Sequence, residues 1–161
     1  MKTTELFKNK KVLSFEIFPP KRTSSIDTIY STLEELKDLK PDFISVTYGA
    51  GGSENCNTTI EIASAIKHKY GVESVAHLPS INLSKEEVLL NLEKFKENGI
   101  ENILALRGDI NPEITPKDDF KHASDLITFI KANGNFNIIG ACYPEGHTEN
   151  KDLDKDIENL K

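Results

Sequence analysis

Five short runs rich in β-branched and aromatic residues punctuate the chain, at 12–18, 43–49, 74–80, 102–108 and 137–143. Each is followed by a segment whose apolar residues recur at helical spacing. In the first such segment Ile26, Ile29, Leu33, Leu36 and Leu39 keep that period. A second helix is predicted over about 57–70. The third opens at Ser84, with Glu87 three residues on, the signature of a capping box, and stops at Asn98-Gly99. The fourth covers about 119–133 and ends at Gly134; a fifth begins near Lys151 and is still running at Lys161. Strands alternating with helices predict βαβ units and a parallel sheet.

Alternation inside the strands bears on the architecture. Leu13, Phe15 and Ile17 oppose Ser14 and Glu16; Ile44, Val46 and Tyr48 oppose Ser45 and Thr47; Leu104 and Leu106 oppose Ala105 and Arg107. One face reads as apolar and the other as small or polar. A doubly wound sheet is covered by helices on both faces and should be apolar on both. A barrel carries helices outside only, and its upper interior can be polar where a ligand sits. The pattern favours a (β/α)8 TIM barrel with about the first five βα units present, and the alternative is a complete doubly wound sheet. The 161 residues read as a single domain, 1–161, shorter than the roughly 250 of a complete barrel.

Composition narrows the function. With 37% hydrophobic and 29% charged residues the chain is of ordinary globular type. A net charge of −6 offers no basic face for nucleic acid or an anionic membrane. Cys56 and Cys142, far apart, make neither a disulfide framework nor a zinc site, and no ligand set for another metal is legible. The early apolar run holds Glu16 and fails as a signal peptide, and no stretch approaches the ~18 apolar residues of a membrane span. The cytoplasm is the expected compartment.

Polar residues gather where the predicted strands end. Glu16, a carboxylate inside the apolar strand 12–18 and followed by Phe18-Pro19-Pro20, would sit near the mouth of a barrel. Partial burial of a carboxyl favours its protonated form, which suits a general acid, and a structural ion pair with a neighbouring strand is the competing reading. Thr47-Tyr48-Gly49-Ala50-Gly51-Gly52-Ser53 is a glycine-rich loop of the kind that lets backbone approach a ligand, or a plain turn. It has neither dinucleotide-fingerprint nor P-loop spacing. His77 precedes Leu78-Pro79 and fits a satisfied core histidine as well as a functional one. Arg107-Gly108-Asp109 places opposite charges at the end of the fourth run, as a binding pair or a local salt bridge. Tyr143 ends the fifth, with His147 in the following loop, and such an aromatic can stack on a planar ligand or cap the strand. All lie on one side of the sheet, where barrel and open-sheet enzymes hold their sites.

Ser14-Phe15-Glu16 with Phe18-Pro19-Pro20, Val46-Thr47-Tyr48-Gly49-Ala50, His77-Leu78, Ala105-Leu106-Arg107-Gly108-Asp109 and Tyr143-Pro144-Glu145 with His147 resemble, in order and spacing, the methylenetetrahydrofolate reductase family. The resemblance runs from about residue 12 to the end. It implies a barrel binding FAD without a covalent link, with NADH or NADPH passing hydride to the flavin and leaving before methylenetetrahydrofolate enters and is reduced to the 5-methyl form. It implies that Glu16 protonates the folate as its five-membered ring opens, and that Asp109 lies between flavin and folate. Thr47, Tyr48, Ala50, His77, Arg107, Gly108 and Tyr143 match flavin-contacting positions, as do His122 and Ala123, although tyrosine is common in the family where this chain has His122. His147, Asp156 and Asn159 match positions holding the far part of FAD. Family members are longer, and the strand with their folate-contacting glutamine lies beyond residue 161. A barrel lacking its last strands would expose two sheet edges, so self-association is a further expectation.

Overall fold

The computed structural model describes residues 1–8, 10–20, 25–48, 53–110, 115–147, 150 and 152–159. Five strands, β1 (Ser14–Ile17), β2 (Phe43–Val46), β3 (Glu73–Pro79), β4 (Asn102–Leu106) and β5 (Asn137–Gly140), form one parallel sheet in the order β1-β2-β3-β4-β5. Between and after them run α1 (Asp27–Leu36), α2 (Ser53–His68), α3 (Lys85–Glu97), α4 (Ala123–Asn133) and α5 (Leu153–Asn159).

Neighbouring in-register residues of a parallel sheet share a face, and the register divides the sheet cleanly. The row Ile17–Val46–Ala76–Ile103–Ile138 crosses all five strands on one face. It packs into the core with Leu33 of α1, Ile62 and Ile66 of α2, Val88, Leu92 and Phe95 of α3, and Leu126 and Ile130 of α4. The row Glu16–Ser45–Val75–Asn102–Asn137 crosses on the opposite face. The core of the described residues therefore lies on one side only. That one-sided arrangement and the sequential strand order are not those of a doubly wound sheet, whose order reverses at a switch point and whose two faces are both covered. The register is staggered: Glu16, third residue of β1, is level with Asn137, the first of β5.

In β4 the alternation reverses the expected polarity. Ile103 and Ala105 are buried under the helices, whereas Leu104 and Leu106 lie half-buried on the open face. Ala105 belongs to the helix-side core, so that side is apolar, not polar. The elements also shift at their ends. α2 begins at Ser53, four residues before the expected start, and α4 begins only at Ala123. α1 gives way to a 3₁₀ turn, Lys37–Leu39, closed by Lys40 at φ 52°. At α3 the capping box forms as the sequence predicts: Ser84 Oγ accepts from the Glu87 amide at 3.2 Å, and the Ser84 amide donates to Glu87 Oε2 at 2.7 Å.

A 3₁₀ helix, Thr3–Lys8, lies against the lower part of the open face. The Thr3 amide donates to Asn102 Oδ1 at 2.8 Å, and Asn137 Nδ2 donates to Thr3 Oγ1 at 2.8 Å. The Phe7 ring meets Phe43 at 6.4 Å between centroids. Beneath it Lys67 bridges Glu73 at 3.1 Å and Glu101 at 2.7 Å, and the Met1 ammonium contacts both carboxylates.

Hydrogen bonding from Lys67, then from the Met1 ammonium, pushes the Glu101 carboxyl down to about 2 from its ordinary 4.5. A carboxyl depressed on folding adds stability above its unfolded value, and that contribution is lost as pH falls from about 4.5 to about 2. Glu101 is 46% exposed, so solvent screening holds the contribution to about 0.5–1 kcal/mol. Lys67→Met is expected to lose that amount at pH 7 and to flatten the acid limb of a stability–pH curve measured by urea denaturation.

Candidate functional site

The open face carries its polar groups toward the C-terminal ends of the strands. Glu16 extends from β1 across β2 toward β3. Its Oε2 lies 3.4 Å from the donating Ser45 hydroxyl and 3.3 Å from His77 Nε2. Among the described residues these are its partners, so the competing reading of an ion pair with a lysine or arginine gives way to contacts with a hydroxyl and an imidazole. The Glu16 side chain is 48% exposed. The partial burial expected of it is not supplied by the described residues.

His77 is the buried member of the pair. Its side chain is 8% exposed, and Nε2 has no hydrogen-bond partner beyond the approach of Glu16. Burial lowers its pKa, and the nearby Glu16 carboxylate acts in the opposite direction. A neutral imidazole here can donate to the Glu16 carboxylate or, as the other tautomer, accept from the Glu16 acid.

Thr47 and Tyr48 follow β2 directly. The Thr47 amide donates to Ile17 O at 3.0 Å, and its carbonyl accepts from Thr59 Oγ1 at 3.1 Å, which ties the start of the loop to β1 and α2. Tyr48 packs against the helix-side core, its hydroxyl buried beside Cys56 and Asn91. Burial drives the phenol pKa upward and the Cys56 thiol to about 11, so neither is a nucleophile at neutral pH. A ligand on the open side would meet Tyr48 through its backbone. Ala50 lies outside the described residues.

The end of β4 is shaped by a close approach. Gly108 adopts φ +88°, and a Cβ placed there would come within 3.0 Å of Pro79 Cβ and 3.2 Å of Ile81 Cγ2. The Ile81 amide donates to Arg107 O at 2.8 Å, which locks this turn to the end of β3. Arg107 is half-buried, its Nε donating to Gly108 O at 3.2 Å, and Asp109 is exposed. Gly108→Ala combines left-handed strain with overpacking, and should cost about 2–3 kcal/mol by urea denaturation.

Beyond β5 the fifth group assembles. The exposed Tyr143 ring meets His147 edge-on at 4.9 Å, and the His147 amide donates to Asp156 Oδ2 at 3.1 Å. Asn150 also donates to Asp156, and these bonds, the His147 amide first, lower the Asp156 pKa. Tyr143, His147, Asp156 and Asn159 line one cavity of ≈ 290 Å³ with Leu153 and Ile157. The loop after β5 and helix α5 thus converge on one concave, partly apolar surface. His122 and Ala123 stand at the start of α4, where the Asp125 carboxylate accepts from the Lys121 and His122 amides. Larger grooves of ≈ 330 and ≈ 480 Å³ run between helices α2 and α3 and between α3 and α4, and carry none of these groups. Among the described residues no three His, Cys, Asp or Glu side chains are grouped to hold a metal ion, and no helix is long and apolar enough to cross a membrane.

The family profile described as methylenetetrahydrofolate reductase matches residues 2–161. The chain belongs to this family. Among its relatives is the 5,10-methylenetetrahydrofolate reductase of Pectobacterium carotovorum subsp. carotovorum, 41% identical over 149 residues, which are 92% of this chain and 49% of that protein. The protein of the same name in Escherichia coli K12 is 39% identical over the same shares. Methylenetetrahydrofolate reductase 1 of Schizosaccharomyces pombe is 35% identical over 96% of this chain and 26% of its own length. The chain thus spans about half the length of its bacterial relatives, and less of the fungal one.

Ser45 was not among the functional candidates read from the sequence. Its signal was available: it is the small polar residue that alternation places on the same face as Glu16.

Proposed function

We propose that this chain carries the flavin-binding part of a methylenetetrahydrofolate reductase, an oxidoreductase that uses NADH or NADPH to reduce 5,10-methylenetetrahydrofolate to 5-methyltetrahydrofolate for one-carbon metabolism and methionine biosynthesis. The reading rests chiefly on one observation. Glu16 with His77, the Arg107–Asp109 turn and the Tyr143 cavity all lie at or just beyond the C-terminal ends of strands of one parallel sheet. In this reading the sheet is part of a (β/α)8 barrel wall, and the open face is its interior.

The residues fit FAD. The cavity beyond β5 joins an exposed aromatic ring to a carboxylate and an amide, suited to a heterocycle and a ribose. His147, Asp156 and Asn159 would hold that distal part. Thr47, His77, Arg107, Gly108 and Asp109 would hold the flavin end. The cofactor would supply two-electron transfer between nicotinamide and folate. The protein's part is to orient the two substrates in turn, to exclude water, and to deliver a proton from Glu16 to the folate amine that departs from the bridging carbon.

The test is flavin uptake by the purified chain, read by visible absorbance and fluorescence quenching. Asp156→Ala removes the acceptor that holds the His147 loop and should weaken FAD binding by about tenfold, the scale of one charge-assisted hydrogen bond. FAD binding that is absent from the chain, both alone and supplemented with the C-terminal half of a relative, would sink the proposal.

A further inference from the structure

We propose that Ser45 is a positioning residue for Glu16, and that its small size, more than its hydroxyl, makes the Glu16–His77 contact available. The functional meaning of this rests on the reductase reading; the geometric claim does not. Glu16 is on β1 and His77 on β3, with β2 between them. Strands one apart are about 4.8 Å from each other, so these two backbones are about 10 Å apart. Neither side chain spans that alone, and each must lean over β2 for Oε2 and Nε2 to reach 3.3 Å. Ser45 is the β2 residue directly opposite Glu16 in the register and faces the same side. The carboxylate passes over it, and the Ser45 hydroxyl donates to Oε2 at a long 3.4 Å. Both neighbours approach the same oxygen, which leaves Oε1 for a ligand on the open face.

A branched residue at 45 would fill the path. Glu16 would then take a rotamer directed away from β3, and His77 would lose the one titratable group that faces it among the described residues. The other elements beside His77 offer none in the adjoining positions: β2 contributes Ser45 and Thr47, and β4 contributes Leu104 and Leu106.

The experiment is an NMR pH titration of the His77 imidazole in the 161-residue chain, assigned with His77→Gln. Because the Glu16 carboxylate raises the His77 pKa, Glu16→Gln should lower the midpoint. Ser45→Val should lower it to the same value, and adding Ser45→Val to Glu16→Gln should do nothing more. Ser45→Ala, which keeps the path open, should stay near the parent. If Ser45→Val does not fold, as judged by circular dichroism, Ser45→Thr takes its place, since it adds the same bulk and keeps the hydroxyl. A valine or threonine variant with the parent midpoint overturns the proposal, as does an alanine variant that matches Glu16→Gln. In the reductase completed with a C-terminal half, Ser45→Val should slow the folate half-reaction by about 10²-fold, the scale of a misplaced catalytic group. A chain that binds no flavin defeats the reductase reading and leaves the titration result standing.

Discussion

For the proposed reductase, Glu16→Gln is expected to slow folate reduction by about 10²–10⁴-fold, the range for loss of a general acid, while flavin reduction by the nicotinamide cofactor changes by less than about threefold. The two half-reactions, followed separately by stopped-flow absorbance in the enzyme completed with a C-terminal half, provide the measurement. Glutamine keeps the length and shape of glutamate, so the side chain still crosses β2 toward His77. What it lacks is a proton to give. Hydride transfer from nicotinamide to flavin needs no such proton on the substrate side, so only the folate step should suffer. A comparable fall in both half-reactions would point to a disturbed flavin pocket, and would remove Glu16 from the acid's role. Glu16→Asp sharpens the point: it keeps the carboxyl and shortens the reach by one methylene. The geometry across β2 predicts an intermediate loss for it.

The parallel sheet and its one-sided cover were legible because β1 and β2 alternate strictly. Ile44 and Val46 pack under helices, and Ser45 does not. β4 shows where that logic fails. Leu104 and Leu106 look like core residues, yet the core takes Ile103 and Ala105. Apolar character on both faces of a strand hides which face the helices cover, and only the register with β3 decides it. The candidate site was legible at strand ends, where Glu16, His77 and Arg107 break apolar runs. Its internal geometry was not. The contact of Glu16 with His77 skips a strand, and no local pattern encodes a side chain reaching over its neighbour. The cavity formed by Tyr143, His147, Asp156 and Asn159 was foreshadowed by family resemblance alone, since it depends on a loop folding back onto α5. The apolar pattern of the early segment does not announce its 3₁₀ helix against the open face. Its anchors are asparagines at the first positions of β4 and β5, and a polar residue opening an otherwise apolar strand was the available clue.

Those asparagines carry the largest expected effect on stability. Asn102 is fully buried, and its side chain is saturated. Oδ1 accepts from the Thr3 amide at 2.8 Å and from Asn137 Nδ2 at 2.9 Å, while Nδ2 donates toward Ser74 O and Met1 O, both at 3.1 Å, and Glu73 Oε1 at 3.2 Å. Asn102→Ala removes this hub, leaves the Thr3 amide buried without a partner and takes one acceptor from Asn137 Nδ2. Each such loss costs about 1–3 kcal/mol, and local relaxation recovers part of it, so the expected loss is about 3 kcal/mol by urea denaturation. Asn102→Asp should be no better, because it loses both donors and sets a carboxylate beside Glu73. Asn137→Ala strands fewer groups and should cost about 1–2 kcal/mol, and the two changes should fall short of additivity by about 1 kcal/mol because they share a hydrogen bond. Loss of hydrogen-exchange protection at the Thr3 amide in Asn102→Ala would trace the effect to the early segment. A loss below about 1 kcal/mol would mean that this segment is not anchored there. The same open face would then carry its chemistry at the Glu16 end without a fixed floor at the other, contrary to the division of labour along parallel βα strands, in which one end reacts and the other stabilises.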